Sequence, residues 1–529
     1  MKTFVFALGI MAMVAFPVRA ADIWVDDDGD NGGTGSFTQP YKTITWVLAN
    51  NLAAAGDVIK LKAGTYDEAL GESFPLGLPD QVDLVGTEFD TNGVPLARIG
   101  GDVDSSSDVA LVFVDASEVR RVGILIEGIT FVGQDTSGID APSAVKAVAR
   151  NGHDANVTVE SCVVERSEMH DGGVADRAAM LFDLGYGYST MTIQNCTIHA
   201  SPRAGVEVVA GTGTSATTFT EGWVKVFGNT VLVEGAEQAE YGIRWGAEGA
   251  AWVAEGHPVI RGNVIDSTGA TGSGGIGTGI SVAIANTDGS VSVDHFEFEI
   301  ARNNVTGCTL DGIELYNDPR ENGEGHMSIW NFQRNRVSGC GRAALRIQKK
   351  DQGPDDGYIN VISKSNWWVN GTIGVQLVGF GDGPILLIND TISGNADWGI
   401  QLLSVGSSVP EGPGGIINCI IWGNGGCSNC DQFDPGAADW PGANTLIEFC
   451  DFDNWSGGEG NIDVNPAFVN AANGDLHLGS SSQCIDAGDN TPENGETLTD
   501  LDIDNEDRTI DGDGDNRVHV DMGADEYDP

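Results

Sequence analysis

Three basic residues stand close together, Arg346, Lys349 and Lys350, in a chain with only 27 Lys and Arg among 529 residues. Asp351, Asp355 and Asp356 follow them directly. A cation beside carboxylates can steady developing negative charge, and a neutral amine close to an acidic carbon can remove its proton. Glu314, Asp318 and Arg320 hold a matching place one segment earlier, and Gln376 and Gln401 hold it in later ones. Tyr316, Trp330, Trp367 and Trp368 lie near these groups and offer ring faces on which sugars can stack. A second set is purely acidic. Asp502, Asp504 and the run Asp511-Gly-Asp-Gly-Asp-Asn516 put carboxylates at alternate positions 511, 513 and 515, as at the start of an EF-hand loop. Position 12 of that loop is Met522, so Asp521, one residue away, is the remaining candidate ligand. Ca²⁺ held there by Asp502, Asp504, Asp511, Asp513, Asp515 and Asp521 is expected to be structural. Asp26 to Asn31 forms another acidic run, and His170, Asp171, Asp176 and Arg177 a polar cluster that no spacing rule supports.

The positioning of these groups depends on a repeat. Met191-Thr-Ile-Gln-Asn-Cys-Thr-Ile198, His257-Pro-Val-Ile-Arg-Gly-Asn-Val-Ile265 and Phe298-Glu-Ile-Ala-Arg-Asn-Asn-Val305 each read as a short alternating strand, an Asn bend and a second short strand. A third strand follows a Gly-containing bend in Gly312-Ile-Glu-Leu315, Ala344-Leu-Arg-Ile347, Gly374-Val-Gln-Leu377 and Gly399-Ile-Gln-Leu402. A three-residue strand is unstable by itself, but stacked on its copy in the next turn it gains a ladder and a shared core. The pattern predicts an all-β solenoid of about a dozen coils. Residues at the same offset in successive coils then line up, so Glu314, Arg346, Gln376 and Gln401 should form a polar stripe on one outer face. Asn195, Asn229 and Asn263, 34 apart, are expected at equivalent bends where their amides pair from turn to turn. Cys162, Cys196, Cys308, Cys340 and Cys419 fall at or beside such bends and should line the core. Helices long enough for an α/β crossover are missing from the pattern.

The start of the chain is different. Thr43 to Ala55 reads as one amphipathic helix with Ile44, Val47, Leu48 and Leu52 on its apolar side, placed to cover the end of the tube. Ile23-Trp-Val-Asp-Asp-Asp-Gly-Asp-Asn-Gly-Gly-Thr-Gly-Ser-Phe-Thr-Gln-Pro-Tyr-Lys-Thr-Ile44 and Ala55-Gly-Asp-Val-Ile-Lys-Leu-Lys-Ala-Gly-Thr-Tyr66 resemble the opening of the DUF1565 and pectate-lyase-like β-helix group. The closing stretch from Asn465 through Cys484-Ile-Asp-Ala-Gly488 to Val520-Asp-Met-Gly-Ala-Asp-Glu-Tyr527 resembles the end of many secreted bacterial β-helix proteins. The resemblance implies a right-handed single-stranded parallel β-helix with a short N-terminal capping helix, which agrees with the usual hand of parallel crossovers. It also implies polysaccharide lyase relatives, in which acidic residues hold Ca²⁺ against a uronate and a Lys or Arg takes the proton. On that reading Lys349, Lys350 and Arg346 are the catalytic candidates, and Glu314, Tyr316, Asp318, Trp367, Gln376 and Gln401 bind substrate. The family's Asp cluster and catalytic Lys do not map residue by residue onto this chain.

Composition sets the remaining bounds. Residues 1–20 read as a signal peptide, with charged Lys2, the apolar run Phe4 to Val14 and small residues before Ala21. The expected order is then a cap and first coil at 21–104, coils at 105–485 and an acidic segment at 486–529. Formal charge is −50, and about −52 once Lys2 and Arg19 leave with the leader. That balance argues against a nucleic-acid partner, and no later stretch is apolar enough to span a membrane. Nine Cys leave at least one thiol free or paired outside the chain, and Cys427 and Cys430 could close a tight disulfide. The reading is a secreted protein that binds or acts on extracellular polysaccharide. The alternative is a non-catalytic surface or matrix protein serving adhesion or assembly.

Overall fold

The computed structural model describes residues 20–101, 110–133, 143–150, 153–165, 178–184, 189–210, 222–235, 238–248, 253–256, 258–272, 274–285, 293–318, 327–349, 358–378, 385–403, 414–425, 432, 446–454, 457–491 and 497–529. The signal segment, save Ala20, and the cluster at 170–177 therefore lie outside the described residues, as do Lys350, Cys427 and Cys430. Every strand pair in the tube is parallel, and the chain visits three sheets in turn. These hold 15, 13 and 11 strands, called here the first, second and third sheet. The first runs from Asp22–Val25 to Leu446–Glu448, the second from Gly64–Tyr66 to Asp451–Phe452, and the third from Leu76–Gly77 to Trp398–Leu403. The chain is a parallel β-solenoid. The core inside the tube is built from inward residues of all three sheets, such as Ile260, Ile265 and Ile280.

The bend between first and second sheets sets the register. Its first residue is left-handed, at φ 56° in Asn195, 61° in Gly228, 66° in Gly262, 55° in Arg334 and 52° in Asn389. Asn carries that conformation at less cost than most side chains, which explains its recurrence there. The next residue points inward and forms a ladder. The Asn335 Oδ1 accepts from the Asn303 backbone N–H at 3.1 Å and from its Nδ2 at 3.0 Å. Asn335 in turn donates its N–H to Asn366 Oδ1 at 2.8 Å, and its Nδ2 to the same oxygen at 2.9 Å and to the Ile300 carbonyl at 2.7 Å. The same pattern links Asn229, Asn263 and Asn303. Asn195 is thus the bend residue and Asn229 and Asn263 the ladder residues one step later, so the 34-residue spacing joins two different positions. Cys196, Cys419 and Cys450 occupy the ladder position with sulfur in the amide's place: Cys419 N–H donates to Cys450 Sγ at 3.2 Å. Asp390 replaces Asn once, and burial pushes its carboxyl up to about 6.

Glycines recur where the third sheet begins for a packing reason. A Cβ on Gly242 would sit 2.6 Å from the Gly279 carbonyl oxygen and 2.9 Å from Ile265. Only a hydrogen fits between successive coils there. The N-terminal helix spans Ile44–Ala49, shorter than the pattern predicted. Thr43 caps it, and Glu72 accepts the N–H groups of Ile44 and Thr45 at 2.7 and 2.8 Å. Ile44 and Val47 are buried and Leu48 packs on the core, but Leu52 is exposed beyond the last turn. Among the described residues no helix is long and apolar enough to cross a membrane.

The ladder's share of stability can be measured at one rung. Asn335→Leu strips buried polar groups on both neighbouring coils of their partners and should cost about 3 kcal/mol. Asn335→Cys should cost less, because sulfur already serves at the equivalent rung in Cys196 and Cys419. Urea unfolding midpoints of the two variants check this order.

Candidate functional site

The third sheet carries one polar residue per coil at the same outward position. Strand register aligns Glu207 with Arg244, Arg244 with Ser281, Ser281 with Glu314, Glu314 with Arg346, Arg346 with Gln376, and Gln376 with Gln401. The expected stripe from Glu314 to Gln401 is there, and it extends three coils further toward the N-terminus. Its members are hydrogen-bonded along the row. Arg346 Nη1 donates to Glu314 Oε1 at 2.6 Å and its Nε to Gln376 Oε1 at 3.0 Å, while Gln376 Nε2 donates to Gln401 Oε1 at 2.7 Å. Arg244 Nη1 donates to Glu207 Oε1 at 2.6 Å.

Neighbouring charges widen the row on one side. Arg342 pairs with buried Asp311 and lies 3.5 Å from Glu314 Oε1, and the Asp311 hydrogen bond raises its guanidinium above the usual range. Arg203 reaches both Glu207 and Glu240. The Tyr241 ring lies 5.3 Å from the Arg203 guanidinium carbon and 5.4 Å from that of Arg244. Burial, and then Glu240, push the Tyr241 hydroxyl upward, so it remains a hydrogen-bond donor at neutral pH. Most of the row is recessed: Glu207, Arg244, Ser281 and Gln376 are buried. At its edge Arg342 keeps 37% of its side-chain surface exposed and Glu240 keeps 53%. The result is a polar floor of donors and acceptors, one set per coil, with more open charges along one edge. Neighbouring rungs are about 4.8 Å apart.

Some expected members stand elsewhere. Tyr316 belongs to the next outward row, in register with Gln348. Asp318 and Lys349 close their strands, opposite Ala285 and Asn317, beyond the row. Trp330 and Trp368 are core residues, Trp330 stacking on Phe298 at 4.2 Å. Trp367 lies on the second sheet, buried with Leu476, Ile503 and Ala524 of the C-terminal segment. Arg336 and His477 flank its ring at 4.7 and 5.2 Å, so this ring is no open sugar platform. The Glu207 to Ser281 half of the row was missed, although Gly205-Val-Glu-Val208, Gly242-Ile-Arg-Trp245 and Gly279-Ile-Ser-Val282 repeat the template of Gly312-Ile-Glu-Leu315.

The acidic segment lies along the flank of the later coils. Asn389 Nδ2 donates to the Asp521 carbonyl and Asn418 Nδ2 to that of Asp489, both at 2.9 Å, and Lys364 Nζ donates to the Thr497 carbonyl at 2.6 Å. Arg508, fully buried, donates to Ser365 Oγ at 3.0 Å and to the Ala524 carbonyl at 2.7 Å. The six expected metal ligands do not converge. Asp502 is buried and accepts the backbone N–H groups of Asp504, Glu506 and Glu526. Asp521 accepts those of Asp486 and Tyr527, and burial raises its carboxyl to about 7. Asp504 pairs with Arg336 and His477, and Asp515 accepts the Arg517 N–H at 2.7 Å. Asp511 and Asp513 do come together, with Asp486 as a third carboxylate that the sequence reading left out. Backbone N–H groups already donate to them: Gly514 and Asn516 to the two oxygens of Asp511, Asp515 to one oxygen of Asp513, and Asp513 and His519 to the two oxygens of Asp486. Three hard oxygen donors within reach of one another fit the chemistry of Ca²⁺. In the N-terminal acidic run, Asp26 pairs with Lys62 at 2.9 Å and Asp27 accepts the Thr65 N–H at 3.0 Å.

The fold and this floor define a parallel β-solenoid with a charge-paired row along one sheet. Residues 27–265 match the family model described as "Protein of unknown function (DUF1565)". No curated protein sequence matches the chain. Among solved structures, a rhamnogalacturonan lyase is similar at 11% identity, covering 85% of this chain and 90% of its own, with a TM-score of 0.45. The pectate lyase Pel9A is similar at 12% identity, 97% and 98% coverage and a TM-score of 0.38. XylC in complex with xylose shows 10% identity, 95% and 98% coverage and a TM-score of 0.39.

The flank segment should be sensitive to pH through His477. Its imidazole bridges Asp504 at 2.6 Å and Asp475, and Asp504 first, with Asp475 adding, raises its pKa from 6.5 to about 9. A raised folded-state value means that the contribution is complete below about 6.5 and fades as pH climbs through about 9. Asp504, held below the usual carboxylate range chiefly by His477, contributes above about 3.8 and weakens below it. NMR titration should place the His477 midpoint near 9, whereas a midpoint near 6.5 would show that the bridge does not form.

Proposed function

We propose that this chain is an exported polysaccharide-binding β-solenoid, and that the polymer lies along the third sheet over the row from Glu207 to Gln401. The supporting observation is the unbroken register of that row, which puts a polar side chain on every coil. The coil repeat, about 4.8 Å, is close to the advance of one sugar residue along an extended polymer. Successive sugars can therefore meet equivalent donors and acceptors. Arg342, the most exposed guanidinium beside the row, and the outer part of Arg346 favour a chain bearing carboxylates, with uronic-acid-containing polymers as the substrate class. Arg346 serves here as a binding group: two of its nitrogens donate to Glu314 and Gln376, and a guanidinium stays protonated. In the finer reading, a Ca²⁺-dependent lyase, the proton would be taken by Lys349 or Lys350.

Affinity electrophoresis against uronic-acid and neutral polysaccharides tests the binding. Retention on a uronate polymer is expected, and Arg346→Ala should weaken it about tenfold, the loss of one charge-assisted hydrogen bond. Glu314 keeps Arg342 beside it in that variant, so folding should survive. Failure to be retained on any polymer would contradict the reading. Absorbance from unsaturated products, abolished by Lys349→Ala together with Lys350→Ala, would extend it to lyase chemistry.

We also propose Ca²⁺ at Asp486, Asp511 and Asp513, where the ion would neutralise three carboxylates and tie the 511–516 loop to Asp486. Calorimetric titration with Ca²⁺ should detect a site that Asp486→Asn weakens at least tenfold. An unchanged isotherm would reject these ligands.

A further inference from the structure

Six of the seven described cysteines are not scattered through the core but face one another in adjacent coils. Val163 is in register with Thr197, which puts Cys162 opposite Cys196. Thr306 is in register with Ser338, and two residues further along Cys308 lies opposite Cys340. Ile420 is in register with Asp451, which puts Cys419 opposite Cys450. All six are buried thiols. Neighbouring parallel strands lie about 4.8 Å apart, within the span of about 4.4–6.8 Å between Cα atoms that a disulfide bridges. The two partners of each pair also sit at the same bend, and the Cys419 N–H donates to Cys450 Sγ at 3.2 Å, so that sulfur reaches the neighbouring coil.

We propose that Cys162–Cys196, Cys308–Cys340 and Cys419–Cys450 are disulfide partners, closed by a small-molecule disulfide oxidant as the chain folds. Each bond would staple one coil to the next at a bend, at three separate levels of the tube. In the chemistry, one cysteine thiolate attacks a sulfur of the oxidant, forming a mixed disulfide and releasing one thiolate. The second cysteine thiolate attacks that mixed disulfide and releases the other. Two cysteines are oxidised, one oxidant disulfide is reduced to two thiols, and the two cysteine protons pass to those thiols.

Timing follows from burial. Within the folded tube Cys162 and Cys419 are held as protonated thiols chiefly by burial, and Cys308 by the neighbouring Cys340 thiol and then by burial. A buried protonated thiol neither attacks nor meets an oxidant, so closure belongs to folding, when the coils are still open. The same burial then shields the finished bonds from reductants.

The test is to refold the reduced, denatured full chain in a mixture of reduced and oxidised glutathione, quench it with acid, and alkylate it unfolded without reductant. Peptide mapping should recover three cross-linked pairs, joining 162 to 196, 308 to 340 and 419 to 450. Alkylation of all six cysteines, or links that join them in other combinations, would overturn the proposal. A second measurement compares urea midpoints of oxidised and reduced protein. Oxidation should raise the midpoint, and Cys308→Ala with Cys340→Ala should shrink the gain while the other two pairs persist. A gain unaffected by that double substitution would remove this pair from the set.

Discussion

A buried amide ladder holds this molecule in register. Most strands have seven residues or fewer and make few ladder bonds apiece, and a slip of one residue would turn every inward side chain outward. The inward Asn at the first bend prevents that slip. Its oxygen accepts from the coil before, while its own N–H and amide donate to the oxygen of the coil after, so no rung is satisfied unless its neighbours are aligned. Leaving such groups unpaired in the core would be expensive. Satisfied, they specify a unique alignment from Cys196 through Asn366 to Asp390. The polar row on the third sheet is a consequence, because its alignment is inherited from the ladder.

Cations are scarce in so acidic a chain, and seven of the 27 Lys and Arg act in two places. Arg203, Arg244, Arg342 and Arg346 neutralise carboxylates along the floor of the third sheet. Arg336, Lys364 and Arg508, with protonated His477, hold the acidic flank segment against the second sheet and its bends. The first group leaves a charge-balanced polar floor along the third sheet. The second buries apolar Trp367 and Val369 under a segment too acidic to pack there by hydrophobic contact alone. Asp486, Asp511 and Asp513 lie beyond that group and are held by backbone N–H donors instead.

Much of this was legible in the residues. Alternating strands, recurring Asn and Gly, and the stripe from Glu314 to Gln401 follow from periodicity, which depends only on neighbours in the chain. What escaped depends on distant ones. Asn195 and Asn229 look equivalent by spacing, yet one bends the backbone and the other enters the core, a difference of one residue that coil length conceals. Trp367 reads as an exposed ring until a segment more than 100 residues later covers it. Asp486 joins Asp511 and Asp513 only because the flank segment folds back, whereas Asp502 and Asp521 turn toward backbone N–H groups. The Glu207–Arg244 half of the floor was within reach of the repeat template and is obscured by variable coil lengths.

The central claim is that the ladder sets the register of the sheet that carries the floor. Amide hydrogen exchange tests it most directly, comparing the native chain with one in which Asn335 cannot form its rung. The account predicts that backbone amides of Asn303 and Asn335 are among the slowest in the native chain. It also predicts that losing the rung accelerates exchange at Glu314 and Arg346, on a different sheet of the same coils. Faster exchange confined to the bend, with the third sheet unchanged, would contradict it.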